Sequence, residues 1–295
     1  MEIIEGQGHI NSLGANWEKV DPSVVVERVV VAMDAVGLDA LFIDEYAGFD
    51  DQMRLLPGVV LPNGALRSTA PFSEAAVKMY PHRFSYLSRV DPRDPEFASL
   101  IGQYRKRPGL LALRVVAVPG SGHRELLESG AYTDWFAACE AHDMPVFCQI
   151  PERTPQLLVP YLRKFPKLRL IIDHCGTWQK PENGSKGGQI AGVCEMAQFP
   201  NVALKWCHAP RDLSTQPYPW RDAVGHLKTA IKAFGVERVM WACDTTISSK
   251  THSWAKGLFY ILDSDQLSDN EKEWLLGRSV RSLLNWAKPQ AAGAA

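Results

Sequence analysis

The chain has 295 residues, of which 46% are hydrophobic and 22% are charged, and its formal net charge is −1. This composition is typical of a globular protein and excludes the basic surface of a nucleic-acid-binding domain. No apolar run approaches the roughly 20 residues that a membrane-spanning helix needs. The first residues lack the pattern of a signal peptide, and the six cysteines form no C-x-x-C pair. We therefore expect a cytoplasmic protein with reduced thiols.

Short β runs alternate with helical sequence along the chain. The first run, EIIEGQGHI, precedes a helix that Asp21 caps, that has Pro22 at its first position and that ends at Gly37. Further β runs follow at 38–44, 83–90, 110–118, 144–150, 168–174, 201–207 and 236–244. Eight β runs, each followed by helical sequence, predict a single α/β domain, a (β/α)8 TIM barrel. An open doubly wound sheet is the alternative, but no G-x-G-x-x-G loop follows the first strand.

The barrel is predicted to occupy residues 1–287. The segment at about 45–83 contains three prolines and is too long for an ordinary connection, so it is predicted to be an insertion after the second strand. Residues 288–295 are small and low in complexity, and we expect them to form a mobile tail.

Polar residues lie at the carboxyl ends of these β runs, where the active sites of such barrels form. The expected mouth contains Gln7, His9, Arg114, Gln149, His174, Lys205, His208 and Asp244. Histidines, an aspartate and two cations on different strands supply an acid–base and anion-binding set. Tyr46, Trp178 and Tyr218 in the adjoining loops could wall a substrate ring, although packing at the rim explains them equally well.

Several of these residues also have a purely structural interpretation. Arg114 lies inside an apolar run, so it needs a buried anion, which is either a substrate carboxylate or an internal partner. Asp173 directly precedes His174, so its side chain should point to the other side of the strand. Four cysteines at strand ends are expected to replace small packing residues, namely Cys148, Cys175, Cys207 and Cys243.

Four segments resemble the amidohydrolase 2 family of (β/α)8 barrels. Residues 3–9 resemble its first-strand motif I-I-D-A-H-x-H, and residues 171–176 resemble its sixth-strand V-I-D-H-x-G. Residues 201–208 resemble N-V-x-x-K-x-S-G, and residues 234–246 resemble F-G-x-x-R-x-M-W-G-S-D-W-P. The resemblance covers nearly the whole chain. It implies a hydrolase, lyase or decarboxylase of small, often carboxylated molecules; pyrone-dicarboxylate lactonase and sulfomuconolactone hydrolase belong to the group.

The resemblance also implies roles for individual residues. His9 matches the second histidine of the first motif, His174 matches the strand-six histidine, and Asp244 matches the aspartate that handles the water proton. Gln7 and Gln149 stand where family members have histidines, and an amide is a poor transition-metal ligand. We therefore expect no cofactor. The alternative is a single zinc or manganese ion held by His9, His174, Asp244 and, as a further candidate, Glu5.

The leading hypothesis is a hydrolase that opens a lactone of a small, ring-derived, carboxylated molecule, as in aromatic catabolism. Asp244 would act as general base on water, while the histidines and the two glutamines donate to the oxyanion. Arg114 and Lys205, with Arg211, would hold a substrate carboxylate. One alternative is a metal-dependent decarboxylase or lyase of an aromatic or muconate-type acid; another is a non-hydrolytic binding protein or isomerase. The expected partner is a small molecule, with a homo-oligomer left open.

Overall fold

The computed structural model describes residues 1–10, 19–46, 48–49, 54–55, 57–118, 120–150, 155–176 and 190–289. Within these residues, eight parallel strands form one sheet in chain order, which confirms the predicted (β/α)8 barrel. The strands are β1 Ile4–Gly8, β2 Ala40–Asp44, β3 Phe84–Ser88, β4 Leu110–Val116, β5 Val146–Gln149, β6 Leu170–Ile172, β7 Val202–Trp206 and β8 Val239–Trp241.

Helices surround this sheet. They are α1 Pro22–Val36, α2 Pro71–Met79, α3 Phe97–Tyr104, α4 His123–Glu128, α5 Thr133–Ala141, α6 Val159–Lys164, α7 Ile190–Cys194, α8 Ala209–Asp212, α9 Arg221–Phe234, α10 Thr245–Ser248, α11 Trp254–Leu262, α12 Asp269–Glu273 and α13 Ser279–Leu284. The caps of α1 are those that the sequence predicts: Asp21 accepts from the backbone N of Ser23, and Gly37 ends the helix with φ +86°. None of the described helices is both long and apolar enough to cross a membrane.

Apolar side chains fill the lower interior of the barrel. They come from all eight strands and include Ile4, Ala40, Phe42, Leu87, Ala112, Phe147, Ile171, Ala203 and Met240. Trp286, which follows α13, packs on Phe42 with 6.3 Å between ring centroids. A second, larger apolar layer lies between the strands and the helices. The buried polar side chains of the interior are therefore found toward the carboxyl ends of the strands, where the site forms.

The first and last strands approach each other closely. A side chain at Gly6 would place its Cβ 2.5 Å from the backbone oxygen of Trp241, so only glycine permits this approach. The buried carboxylate of Glu5 accepts from the backbone N of Cys243 at 2.7 Å and from the indole N of Trp254 at 2.8 Å. Burial raises the pKa of Glu5 to about 7. Glu5 therefore joins β1 to the end of β8 and to α11.

Along β1, side chains stop alternating between the barrel interior and the helix layer just after Glu5. The register of β1 against β2 shifts between Glu5 and Gly8. A Cβ at Gly6 would contact Met240 of the interior, and yet the next residue, Gln7, also reaches the interior mouth. Glu5 and Gln7 therefore do not share a face, and the role of Glu5 as a further metal ligand stays a prediction.

The segment between β2 and β3 holds two short antiparallel strand pairs followed by α2. One pair joins Gly48–Phe49 to Arg54–Leu55, and the other joins Gly58–Val60 to Leu66–Ser68. Since α2 packs beside α1, it occupies the place of an ordinary barrel helix, and the added sequence is the hairpin region before it. Of the predicted mobile tail, residues 290–295 lie outside the described residues.

Candidate active site

Three neighbouring strands each end close to a residue with left-handed backbone. The φ angle is +54° at His174 after β6, +60° at His208 after β7 and +50° at Asp244 after β8. This conformation costs a non-glycine residue about 1–2 kcal/mol and is concentrated at functional sites. Each residue begins or caps a short helical turn. The three side chains meet as a result: the rings of His174 and His208 are 4.5 Å apart, and His208 Nε2 is 3.1 Å from Asp244 Oδ2.

Asp244 is the centre of a buried polar cluster. Its Oδ2 accepts from Gln7 Nε2 at 3.0 Å and contacts His208 Nε2, while its Oδ1 lies 3.4 Å from His9 Nε2. Burial alone would raise the pKa of this carboxyl, but the two histidines outweigh it and hold the pKa well below its usual range. Asp244 is therefore ionised throughout the physiological pH range.

Arg211 fixes the tautomer of His208. Its Nη2 lies 3.0 Å from His208 Nδ1, and a guanidinium has no acceptor atom, so Nδ1 accepts this bond. The ring proton is then on Nε2, which donates to Asp244. Burial lowers the pKa of His208 and keeps the ring neutral at pH 7. Arg211 is itself held by Asp212 through hydrogen bonds of 2.6 and 2.9 Å.

His9 connects the cluster to the end of β2. Its Nδ1 is 2.5 Å from the backbone oxygen of Asp44, which only accepts, so Nδ1 carries a proton. Its Nε2 lies 3.3 Å from Gln7 Nε2 and 3.4 Å from Oδ1 of Asp244. His9 therefore borders the same space as the carboxylate of Asp244.

A dense network of ion pairs lies beside the Asp244 cluster at the mouth. Arg114 donates from Nη1 to Asp44 and from Nε to Asp173 at 2.7 Å. Lys205 Nζ lies 2.6 Å from Asp173, and Arg89 donates to Asp44 at 2.6 Å. The side chains of Arg114 and Lys205 are fully buried. The internal partner that the sequence left open for Arg114 is therefore present, and the two cations expected to hold a substrate carboxylate are engaged with carboxylates of the protein.

The expected orientation of Asp173 is wrong. Asp173 and His174 are adjacent, yet both enter the interior, because β6 ends at Ile172 and the left-handed turn at His174 breaks the strand alternation. Asp173 thus joins the ion network while His174 joins the cluster around Asp244.

The two glutamines connect these groups. Gln7 accepts from Lys205 through Oε1 and donates to Asp244 through Nε2. Gln149 Oε1 accepts from Arg114 Nη2 at 2.9 Å. Gln7 therefore links the ion network to the Asp244 cluster.

The candidate aromatic residues have different environments. Tyr46 is buried, accepts from Arg89 at 2.7 Å and packs edge-on against His9 at 4.8 Å. Tyr218 lies beside Trp220 and lines a surface cavity together with residues of α9 and α11. Trp178 lies outside the described residues. Of the two candidate tyrosines, Tyr46 contacts the cluster, while Tyr218 contacts Trp220 at the surface.

Cys207 belongs to the site, although sequence reasoning assigned it to packing. Among the described residues, His174, Cys207, His208 and Asp244 offer one ligand atom each, and these atoms lie within 4.8 Å of one another. All four residues are buried. Imidazole, thiolate and carboxylate are transition-metal ligands, so the donor set fits a divalent ion. The signal in the sequence is a Cys-His pair at the end of β7, beside the strand that carries His174.

Fold and site together define a (β/α)8-barrel enzyme whose reactive groups lie at the carboxyl ends of its strands. Residues 18–284 match the family described as amidohydrolase, and the chain belongs to that family.

Known proteins share parts of the sequence or the whole fold. L-fucono-1,5-lactonase of Burkholderia ambifaria is 27% identical over 143 residues, a match that spans 43% of this chain and 46% of that protein. An amidohydrolase from Burkholderia multivorans, solved with bound zinc, superposes with a TM-score of 0.74 at 16% identity over 97% of this chain and 99% of that chain. A probable 2-pyrone-4,6-dicarboxylic acid hydrolase from Acinetobacter baumannii gives a TM-score of 0.66 at 15% identity over 97% and 100% of the two chains.

Proposed function

We propose that the protein hydrolyses a lactone, a small cyclic ester, with Asp244 as general base on the attacking water. The observation that carries the proposal is the buried, ionised carboxylate of Asp244 at the barrel mouth, oriented by Gln7, His9 and His208. The partial match to a fuconolactonase and the fold shared with a probable pyrone-dicarboxylate hydrolase support this class of reaction.

Asp244 and His9 border the space proposed for the attacking water. Oδ1 of Asp244 lies 3.4 Å from His9 Nε2, so a water that donates to Oδ1 lies beside the ring of His9 and turns an oxygen lone pair outward. During attack on the ester carbonyl, Asp244 takes a proton from the water. As the tetrahedral intermediate then collapses, the ring acyl C–O bond breaks and Asp244 returns that proton to the alkoxide, which leaves as the alcohol. Without a bound metal, His208 keeps its own proton on Nε2 and serves as a donor that orients the carboxylate.

The developing negative charge on the carbonyl oxygen needs positive potential nearby. The ion network holds three cations, Arg89, Arg114 and Lys205, against two carboxylates, Asp44 and Asp173. The excess positive charge on this side of the mouth favours an oxyanion. The zinc bound in the similarly folded Burkholderia multivorans protein and the four clustered donors support the alternative of a single divalent ion over the expectation of no cofactor. A divalent ion held by donors of the cluster of His174, Cys207, His208 and Asp244 would supply Lewis-acid activation of the ester if one coordination position stayed open to the substrate.

Arg211 is the candidate for binding a polar or anionic substituent of the substrate. Unlike Arg114, its side chain is one-fifth exposed, and it lies beside His208 at the cluster. A guanidinium in this place forms charge-assisted bonds with a carboxylate or hydroxyl group. The proposal is therefore that substrate specificity depends on Arg211 more than on the buried cations.

Hydrolysis of a panel of sugar 1,5-lactones and pyrone-type lactones, followed by proton release, tests the proposal. Asp244→Asn should lower kcat by about 10²–10⁴-fold, the range for loss of a general base, with the far-ultraviolet circular dichroism unchanged. Asp222→Asn is the matched control, since Asp222 caps a surface turn through Ser214 and Thr215. Near-normal turnover of Asp244→Asn would contradict the mechanism. Release of carbon dioxide from an aromatic acid would favour a decarboxylase, and binding without ring opening would favour an isomerase or binding protein.

A further inference from the structure

The donors at the ends of β6, β7 and β8 form a cluster distinct from the ion network beside it. His174, Cys207, His208 and Asp244 come from three adjacent strands, and their ligand atoms lie within 4.8 Å of one another. We propose that this cluster is a metal centre in which Cys207 supplies a thiolate ligand, so that the centre selects zinc-like ions.

The spacing of the donors suits a single ion. Metal bonds of about 2.0–2.3 Å in tetrahedral geometry place neighbouring ligand atoms about 3.3–3.8 Å apart. His208 Nε2 and Asp244 Oδ2 are 3.1 Å apart, so a small outward movement of either side chain admits the ion. His174, His208 and Asp244 each maintain left-handed backbone, a cost that ligand clamps commonly bear.

The charges of the cluster also match a divalent ion. The carboxylate of Asp244 and the thiolate of Cys207 together carry two negative charges, while the two imidazoles are neutral ligands. The other buried carboxylates of the mouth, Asp44 and Asp173, are already paired with Arg114. Binding replaces the thiol proton of Cys207 by the metal and releases that proton to solvent.

Two further properties follow from this donor set. A thiolate is a soft ligand that favours Zn²⁺ or Co²⁺ over Mn²⁺ and Mg²⁺. Coordination through Nε2 of His208 requires the ring proton to lie on Nδ1, so the 3.0 Å contact with Arg211 must open. Metal binding and the position of Arg211 are therefore coupled.

Cobalt(II) spectroscopy on the full-length protein tests the proposal independently of any enzymatic activity, and so independently of lactone hydrolysis. Protein freed of metal by a chelator is titrated with Co²⁺. We expect one equivalent to bind with a near-ultraviolet thiolate-to-cobalt charge-transfer band and with the intense visible bands of a tetrahedral centre. Zn²⁺ should displace the cobalt, and Mn²⁺ at the same concentration should not.

Cys207→Ser should abolish the charge-transfer band and weaken Zn²⁺ binding by more than the ~10–100-fold that loss of an outer-shell partner costs. Cys194→Ser is the matched control, because Cys194 is a partly exposed thiol on α7 outside the cluster. Should Cys207→Ser fail to fold by circular dichroism, His208→Gln provides the second variant: it should keep the band and weaken binding. Absence of bound cobalt, bound cobalt without the band in the wild type, or a band that persists in folded Cys207→Ser would each overturn the proposal.

Discussion

The two sides of the barrel mouth handle buried charge in different ways. In the ion network, here called the paired side, the charged groups bind one another: Asp44 binds Arg89 and Arg114, and Asp173 binds Arg114 and Lys205. In the second group, here called the ligating side, imidazoles, a thiol and one carboxylate converge on a common space; its members are His174, Cys207, His208 and Asp244. The side chains of the paired side are engaged with one another, whereas the ligating side presents groups that bind water, protons or a metal. A buried arginine at a strand end, such as Arg114, is therefore weaker evidence of a binding site than a residue such as His208, which combines a positive φ angle with a ligating side chain.

The paired side should dominate stability. Arg114→Met leaves Asp44 and Asp173 without their central partner, and breaking a buried ion pair costs about 3–5 kcal/mol. Urea unfolding followed by tryptophan fluorescence measures the loss in the free energy of unfolding. Arg124→Met removes a surface pair with Glu128 and should cost no more than about 1 kcal/mol. Equal losses in the two variants would remove the distinction between the two sides.

The free energy of unfolding should depend on pH through Glu45, the residue after Asp44 of the paired side. Glu45, which follows β2, is buried and accepts from the backbone N of Ser73 at 2.8 Å and from its hydroxyl at 2.7 Å. Burial raises the pKa of Glu45 from 4.5 to about 7, so the folded state holds a proton that the unfolded chain has lost between these pH values. Its contribution therefore makes the protein less stable as the pH rises from 4.5 to 7, by up to about 3 kcal/mol.

Glu45→Gln should remove this part of the pH dependence. The free energies of unfolding of wild type and variant, measured at pH 4.5, 6 and 7.5, are subtracted at each pH, so that groups common to both proteins cancel. A difference that does not change with pH would show that Glu45 titrates at its ordinary value in the folded protein.

The ligating side should be more sensitive in catalysis than in stability. Arg211→Met removes the bond that fixes the proton of His208 on Nε2, and a hydrogen bond to a charged group is worth about 1.5–3 kcal/mol. We expect kcat to fall about 10–100-fold on the lactone that the wild type opens best, with the pH–rate profile altered. Arg221→Met, which breaks an exposed pair with Asp265, should leave both unchanged. A change in KM alone would show that Arg211 acts only by binding the substrate, as proposed above, and does not also position His208.

Much of the fold could be predicted because it depends on local patterns. The alternation of β runs with helices, the cap at Asp21 and the glycine at Gly37 are written in adjacent residues. The ends of β6 and β7 could not be predicted in the same way. Asp173 and His174 both face the interior because the backbone of His174 has a positive φ angle. The types of the neighbouring residues do not predict a left-handed backbone at a histidine.

The composition of the site was predictable only in part. Strand-end position and family resemblance identify Asp244, His9 and His174. In the structure, Asp244 contacts His9 directly, and it reaches His174 through the ring of His208. Cys207 was missed because a thiol in an apolar run has the same pattern as a packing residue. The ring protons of His9 and His208 are placed by the backbone oxygen of Asp44 and by the guanidinium of Arg211. Which ring nitrogen each of these groups contacts is determined by the fold and cannot be seen in the sequence.

The bond from Glu5 to the backbone of Cys243 joins residues 238 positions apart in the chain. Near the base of the barrel, Glu2 likewise pairs with Arg281 at 2.6 Å. Both contacts can form only after the last β/α unit has been synthesised. Contacts between residues so far apart in the chain form late in folding, because loop-closure entropy opposes them. The edge of β1 that faces β8 therefore stays exposed until the end of synthesis, and this edge is the part of the barrel most open to wrong strand pairing.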